Sequence, residues 1–115
     1  MYLAYARILN LTKRPAEALE NLKVALRLDP ALDDAHFELA VALVHAGRDR
    51  DALAEFHSIR KLDSQHSYRY FYNLALAHAR LGDTAQARRL IEKAKPQTRN
   101  PEELAALDQL LQTLR

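Results

Sequence analysis

Apolar side chains return every three or four residues along almost the whole chain, the pattern of helices that each bury one face. Its punctuation predicts seven of them. The first covers about 2–11. Pro15 suits the first turn of the second, about 16–28, because its missing N–H would have no intrahelical partner there. A third helix is expected over about 33–46, closed by Gly47 in the left-handed conformation, and a fourth over about 49–62. The fifth, about 68–81, ends at Gly82. Asp83 is placed to cap the sixth with Gln86 as its capping-box partner, and Pro96 stops it. Asn100-Pro101-Glu102-Glu103 combines an N-cap, a first-turn proline and acidic residues at the positive end of the helix dipole. It opens a seventh helix, 101–114, with Leu104, Leu107, Leu110, Leu111 and Leu114 in one stripe.

These helices repeat in pairs. Leu39/Leu74, Ala40/Ala75, Ala42/Ala77, Gly47/Gly82 and Ala52/Ala87 are identical at a spacing of 35, and Ala6/Ala40, Leu9/Leu43, Ala18/Ala52, Leu28/Leu62 and Asp29/Asp63 at a spacing of 34. The extra residue falls in Ser64-Gln65-His66-Ser67, where the first linker is shorter. A fixed period in this range marks a stack of supersecondary units, none of which buries its apolar face alone. The repeats are about 1–30, 31–64 and 65–99, followed by the helix at 101–114, all read as one domain.

Composition supports a packed helical chain: 49% hydrophobic residues in 115, with two glycines and four prolines. Absence of cysteine excludes disulfides and thiolate metal sites. A formal charge of +2 is too small to specify a polyanionic partner. No apolar run reaches the length of a membrane span, and Met1–Asn10 lacks the layout of a signal peptide. Localisation is therefore open, with the cytoplasm favoured if the chain is complete.

Within each repeat, large and small residues alternate in a fixed order. In the second, His36-Phe37 begins the first helix, Leu39-Ala40 and Leu43 follow, Gly47 makes the turn, Ala52 starts the second helix, Phe56 and Ile59 continue its inner face, and Leu62-Asp63-Ser64 closes the repeat. This order resembles the tetratricopeptide repeat. The resemblance implies an all-α fold: a right-handed superhelical stack, or α-solenoid, of three antiparallel helix pairs plus a C-terminal capping helix. Ala6/Ala18, Ala40/Ala52 and Ala75/Ala87 are the small residues that let paired helices approach closely. The chain departs from the family at Lys13, where the other turns have Gly47 and Gly82. It also starts inside the first helix of the first repeat, as expected of a piece of a longer array or an open-ended stack.

Catalytic constellations are missing from the pattern. Ser58, Ser64 and Ser67 have no glycine-rich elbow nearby, and both glycines are helix terminators, so no loop is set to cradle phosphate. No two of His36, His45, His57, His66 and His78 stand four residues apart as helical metal ligands would. Arg88, Arg89, Lys93, Lys95 and Arg99 gather positive charge, but Glu92 interrupts them and no aromatics interleave, so the cluster reads as a solvated face and not a nucleic-acid site. The expectation is a non-enzymatic protein with no metal, cofactor, nucleic-acid or membrane ligand.

What the resemblance implies instead is a concave groove, lined by the first helix of each repeat, that holds a peptide or helix of a partner protein. Transferred residue by residue, the lining is Leu3, Arg7 and Asn10 from the first repeat, Phe37, Glu38, Val41, Val44 and His45 from the second, and Arg69, Tyr72, Asn73, Leu76 and Arg80 from the third. Phe37, Val41, Tyr72 and Leu76 are the expected apolar anchors, with Arg7, Asn10, Asn73 and Arg80 fixing direction. Glu38 would repel an acidic chaperone tail, which argues against that subtype of the family. The alternative is a structural or self-associating segment, whose Tyr2/Tyr5/Leu9 face packs on another copy or on upstream repeats.

Overall fold

The computed structural model describes residues 2–114, with the backbone alone for Tyr2 and Leu3. Among the described residues every regular element is helical, and the chain divides into two compact units, Met1–Leu62 and Asp63–Arg115. The first holds α1 (Tyr2–Leu11), α2 (Pro15–Leu28), α3 (Asp33–His45) and α4 (Asp49–Ser58). The second holds α5 (Ser67–Arg80), α6 (Thr84–Ala94) and α7 (Pro101–Thr113), with 3-10 turns at Ser64–His66 and Lys95–Gln97.

In the first unit α1 and α2 form a hairpin, α3 packs on both, and α3 and α4 form a second hairpin. The core between α1, α2 and α3 contains Ala6, Leu9, Ala18, Leu22, Ala25, Ala35 and Ala42, flanked by Leu19, Leu26, Leu32 and Leu39. Ala6 and Ala18, like Ala40 and Ala52, are fully buried, as expected of small side chains between paired helices. In the second unit α5 pairs with α6, with Ala75 and Ala87 buried in the same way. There α7 packs on α6, and Leu107 and Leu110 are buried. The Tyr68 hydroxyl on α5 donates to the Glu103 carbonyl at 3.1 Å, tying α5 to α7.

All three hairpins turn in the same way. Lys13 N–H bonds Asn10 O and Arg14 N–H bonds Leu9 O at 2.8 Å; Gly47 and Arg48 do the same to Val44 and Leu43, and Gly82 and Asp83 to Ala79 and His78. This double bond pattern satisfies the last carbonyls of a helix and needs a left-handed residue at its first donor. Gly47 (φ +78°) and Gly82 (φ +87°) supply it, and a Cβ there would meet nothing within 4 Å, so conformation and not space calls for glycine. Lys13 takes the same conformation at φ 56°, where an L side chain is strained by about 1–2 kcal/mol. Lys13→Gly is therefore expected to raise stability by about 0.5–1 kcal/mol after the greater flexibility of glycine in the unfolded chain is subtracted. Urea unfolding of the two proteins checks it; a loss of stability would contradict the strain.

One helix end and one cap differ from the sequence pattern. Helix α4 ends at Ser58 and not near 62, because the Asp33 carboxylate accepts the N–H groups of Arg60 and Lys61, both at 3.2 Å, and draws the chain out of the helix. At α6, Asp83 accepts the Gln86 N–H at 3.2 Å, but the Gln86 amide oxygen is taken up by Arg89, so only half of the expected capping box is made. Pro15 and Pro101 stand at the first helical positions, and Asn100 caps α7 through the Glu102 N–H at 2.8 Å.

Candidate functional site

The first helices of the repeats carry the residues in question, and their environments differ sharply. Helix α3 is apolar around most of its circumference, and Phe37, Val41 and Val44 are at most 1% exposed. The Phe37 ring meets Phe56 of α4 edge to face, with centroids 6.4 Å apart. These three side chains are core, not groove lining. A helix apolar all round is wrapped by neighbours, and this one is packed by α1, α2 and α4.

The polar residues expected beside them are also turned inward. The Glu38 side chain is fully buried, Arg7 Nε donates to its carboxylate at 3.0 Å, and Asn10 Nδ2 donates to its carbonyl at 2.8 Å and its carboxylate at 2.9 Å. Asn10 is 1% exposed, and its own Oδ1 accepts no hydrogen bond. Arg7, Asn10 and Glu38 thus join α1 to α3 and compensate one another. Asn10 and Glu38 present nothing to solvent, and the expected repulsion of an acidic ligand by Glu38 is cancelled by Arg7. His45 is half-buried at the end of α3, and the side chain of Leu3 lies outside the described residues.

Helix α5 is different. Arg69, Tyr72, Leu76 and Arg80 follow steps of three and four, which puts them on one stripe of the helix. Arg80 is exposed and the other three are half-buried, so each keeps surface open to solvent. The Tyr72 ring stacks on Tyr68 at 5.8 Å with the planes 19° apart. Burial, then the charge of Glu103, then Tyr72 push the Tyr68 phenol up to about 12, so it remains a neutral donor to the Glu103 carbonyl. Asn73 departs from expectation: it is 6% exposed, and its amide is spent on the Arg69 carbonyl at 2.8 Å.

A second cluster escaped the sequence pattern. His36 Nδ1 lies 2.6 Å from the Glu55 carboxylate on α4 and Nε2 lies 2.8 Å from the Pro30 carbonyl, at the edge of a cleft of about 540 Å³ that His57, Ser58 and Arg60 also line. Both partners are acceptors, so only the imidazolium satisfies both contacts. Burial pulls the His36 pKa down, but the hydrogen bonds to Glu55 and Pro30 and the charges of Glu55 and Asp33 outweigh it, leaving the pKa above its ordinary 6.5. A raised folded-state pKa stabilises fully below the unfolded value and is lost as pH rises through the folded one. Urea midpoints are therefore expected to fall for the parent between about pH 6 and pH 9, with a smaller fall for His36→Gln. Identical pH profiles would remove His36 from the account. No local spacing announces the pair, because Glu55 lies across the hairpin.

Among the described residues no group of three or more His, Cys, Asp or Glu could hold a metal ion, and no helix is long and apolar enough to cross a membrane. His78 is partly buried, with Nδ1 3.6 Å from the Asp83 carboxylate.

Helical hairpins closed by one kind of left-handed turn, and repeating every 34 or 35 residues, define an α-helical repeat protein. The family follows from direct comparison. A tetratricopeptide repeat model matches residues 9–71, more than half of the chain, and a second matches residues 69–93, so the chain belongs to the tetratricopeptide repeat family. No curated protein matches it. Tetratricopeptide repeats generally mediate protein–protein interaction and are generally non-catalytic modules.

Proposed function

We propose that this chain is a non-enzymatic interaction module that binds a peptide or helix of a partner protein, and that the α5 stripe is its principal contact surface. The observation that carries the proposal is the order along that stripe: an arginine at each end, Arg69 and Arg80, with Tyr72 and Leu76 between. The eleven helical steps from Arg69 to Arg80 span about 16 Å. That length accommodates a short apolar segment flanked by acidic groups, with tyrosine and arginine as the side chains that most often dominate binding energy. Arg7, Asn10 and Glu38 tie α1 to α3 within the first unit and Asn73 bonds back within α5, so none of the four is counted in the stripe. Reading residues 1–115 as one domain of three repeats with α7 as its cap belongs to the same proposal.

The test is affinity capture from lysate with the parent, Arg80→Glu and Tyr72→Ala, each checked for unchanged helicity by circular dichroism. Proteins captured specifically by the parent are expected to fall at least about tenfold with either variant, the effect of losing roughly 1.4 kcal/mol of binding. Unchanged recovery with both would overturn the assignment of the α5 stripe.

A further inference from the structure

The cleft beside His36 lies within the first unit, and hydrogen bonds of that unit fix its walls. The Asp33 carboxylate holds the backbone N–H groups of Arg60 and Lys61 at 3.2 Å, which sets the segment after α4 against the start of α3. The His36 ring is held between Glu55 and the Pro30 carbonyl, and the Ala31 N–H bonds the Asp29 carboxylate at 3.2 Å. Two lining side chains are left unspent. Among the described residues, the His57 ring and the Arg60 guanidinium make no hydrogen bond or ion pair, whereas the Ser58 hydroxyl already donates to the Ala54 carbonyl at 3.1 Å.

We propose that this cleft binds a carboxylate borne on a compact apolar group, at a site separate from the α5 stripe. Charge decides the class of ligand. Of the cations that line the cleft, His36 already faces Glu55, which leaves Arg60 without a counter-charge, and Asp33 adds a negative charge nearby. One uncompensated cation suits a singly charged group, whereas a phosphate dianion would leave a charge unmatched beside Asp33. The planar fork of Arg60 matches two carboxylate oxygens, and a His57 ring N–H is a further donor. A volume of about 540 Å³ is far more than a carboxylate fills, and Pro30 and Ala31 supply an apolar wall for the rest of the ligand. A free small acid and the C-terminus of a polypeptide with an apolar last residue both present this chemistry.

NMR titration of the full chain at about pH 6.5 and constant ionic strength tests this. Phenylacetate stands for the small acid, N-acetyl-Gly-Gly-Phe for the chain terminus, and phenylacetamide is the uncharged control. Backbone amides of His57, Arg60 and Lys61 are expected to shift and saturate, with a Kd of roughly 1–10 mM for the better of the two carboxylates. The tighter probe identifies the source. Arg60→Gln removes the charge but keeps the N–H that Asp33 holds, and is expected to weaken binding at least about tenfold, with His57→Ala costing about threefold. Both residues are exposed, so the variants should keep the parent's far-ultraviolet circular dichroism. Absence of saturation by about 50 mM of both carboxylates, equal binding of phenylacetamide, or unchanged affinity in Arg60→Gln would overturn the proposal. So would equal shifts at Arg88, Lys93 and Arg99, exposed cations outside the cleft that report a general attraction of anions.

Discussion

Phe37→Ala is expected to destabilise the protein by about 3–5 kcal/mol, the cost of emptying a large, fully buried aromatic site. Phe37 has no exposed surface, Phe56 beside it is 1% exposed, and the two rings meet at 62°. Truncation removes that ring contact and leaves a void between α3 and α4, in the hairpin that also buries Ala40 and Ala52 completely. Since small domains hold only about 5–15 kcal/mol in total, one such change puts much of the folded population at risk. Phe37→Leu, which keeps most of the volume, should cost about 1 kcal/mol. Urea unfolding followed by circular dichroism reads both. A loss below about 1 kcal/mol for Phe37→Ala would return Phe37 to the groove surface, where the family resemblance puts it.

Arg7→Ala is expected to cost about 2–3 kcal/mol, because it leaves the Glu38 carboxylate buried without its guanidinium. The figure lies below the usual range for a broken buried pair, since the Arg7 side chain is 35% exposed and Asn10 still donates to the carboxylate at 2.9 Å. Removing the charge rather than its partner should be milder. Glu38→Gln keeps an oxygen for Asn10 and leaves Arg7 partly solvated, at about 1 kcal/mol. A double-mutant cycle should then show coupling of at least about 1 kcal/mol, with Arg7→Ala nearly harmless in the Glu38→Gln background. Additive losses would mean that Arg7 stabilises α1 by packing alone.

Local signals in the sequence located the helices well because their chemistry acts within a few residues. Gly47 and Gly82 mark left-handed turns, Pro15 and Pro101 mark first turns, and Asn100 caps its own helix. Even Lys13, which breaks the glycine pattern, adopts the same turn, since the hydrogen bonds around it outweigh the strain. What escaped the sequence depends on distant partners. Asp33 shortens α4 from 27 and 28 residues away, and Glu38 finds Arg7 across 31. Periodicity showed that α3 is apolar nearly all round, but not that its neighbours would enclose Phe37, Val41 and Val44. On α5 the family resemblance puts Arg69, Tyr72, Asn73, Leu76 and Arg80 on the groove; Arg69, Tyr72, Leu76 and Arg80 keep solvent-exposed surface, whereas Asn73 turns inward to bond the Arg69 carbonyl, which spacing does not reveal.

Binding through α5 is most directly tested by photo-crosslinking. A benzoylphenylalanine placed at Leu76, within the stripe, and another at Ala105, on exposed α7, would each be irradiated in lysate. The account predicts discrete crosslinked partner bands from position 76, suppressed by Arg80→Glu, and none of the same bands from position 105. Equal crosslinking from both positions, or bands from position 76 that survive Arg80→Glu, would contradict it.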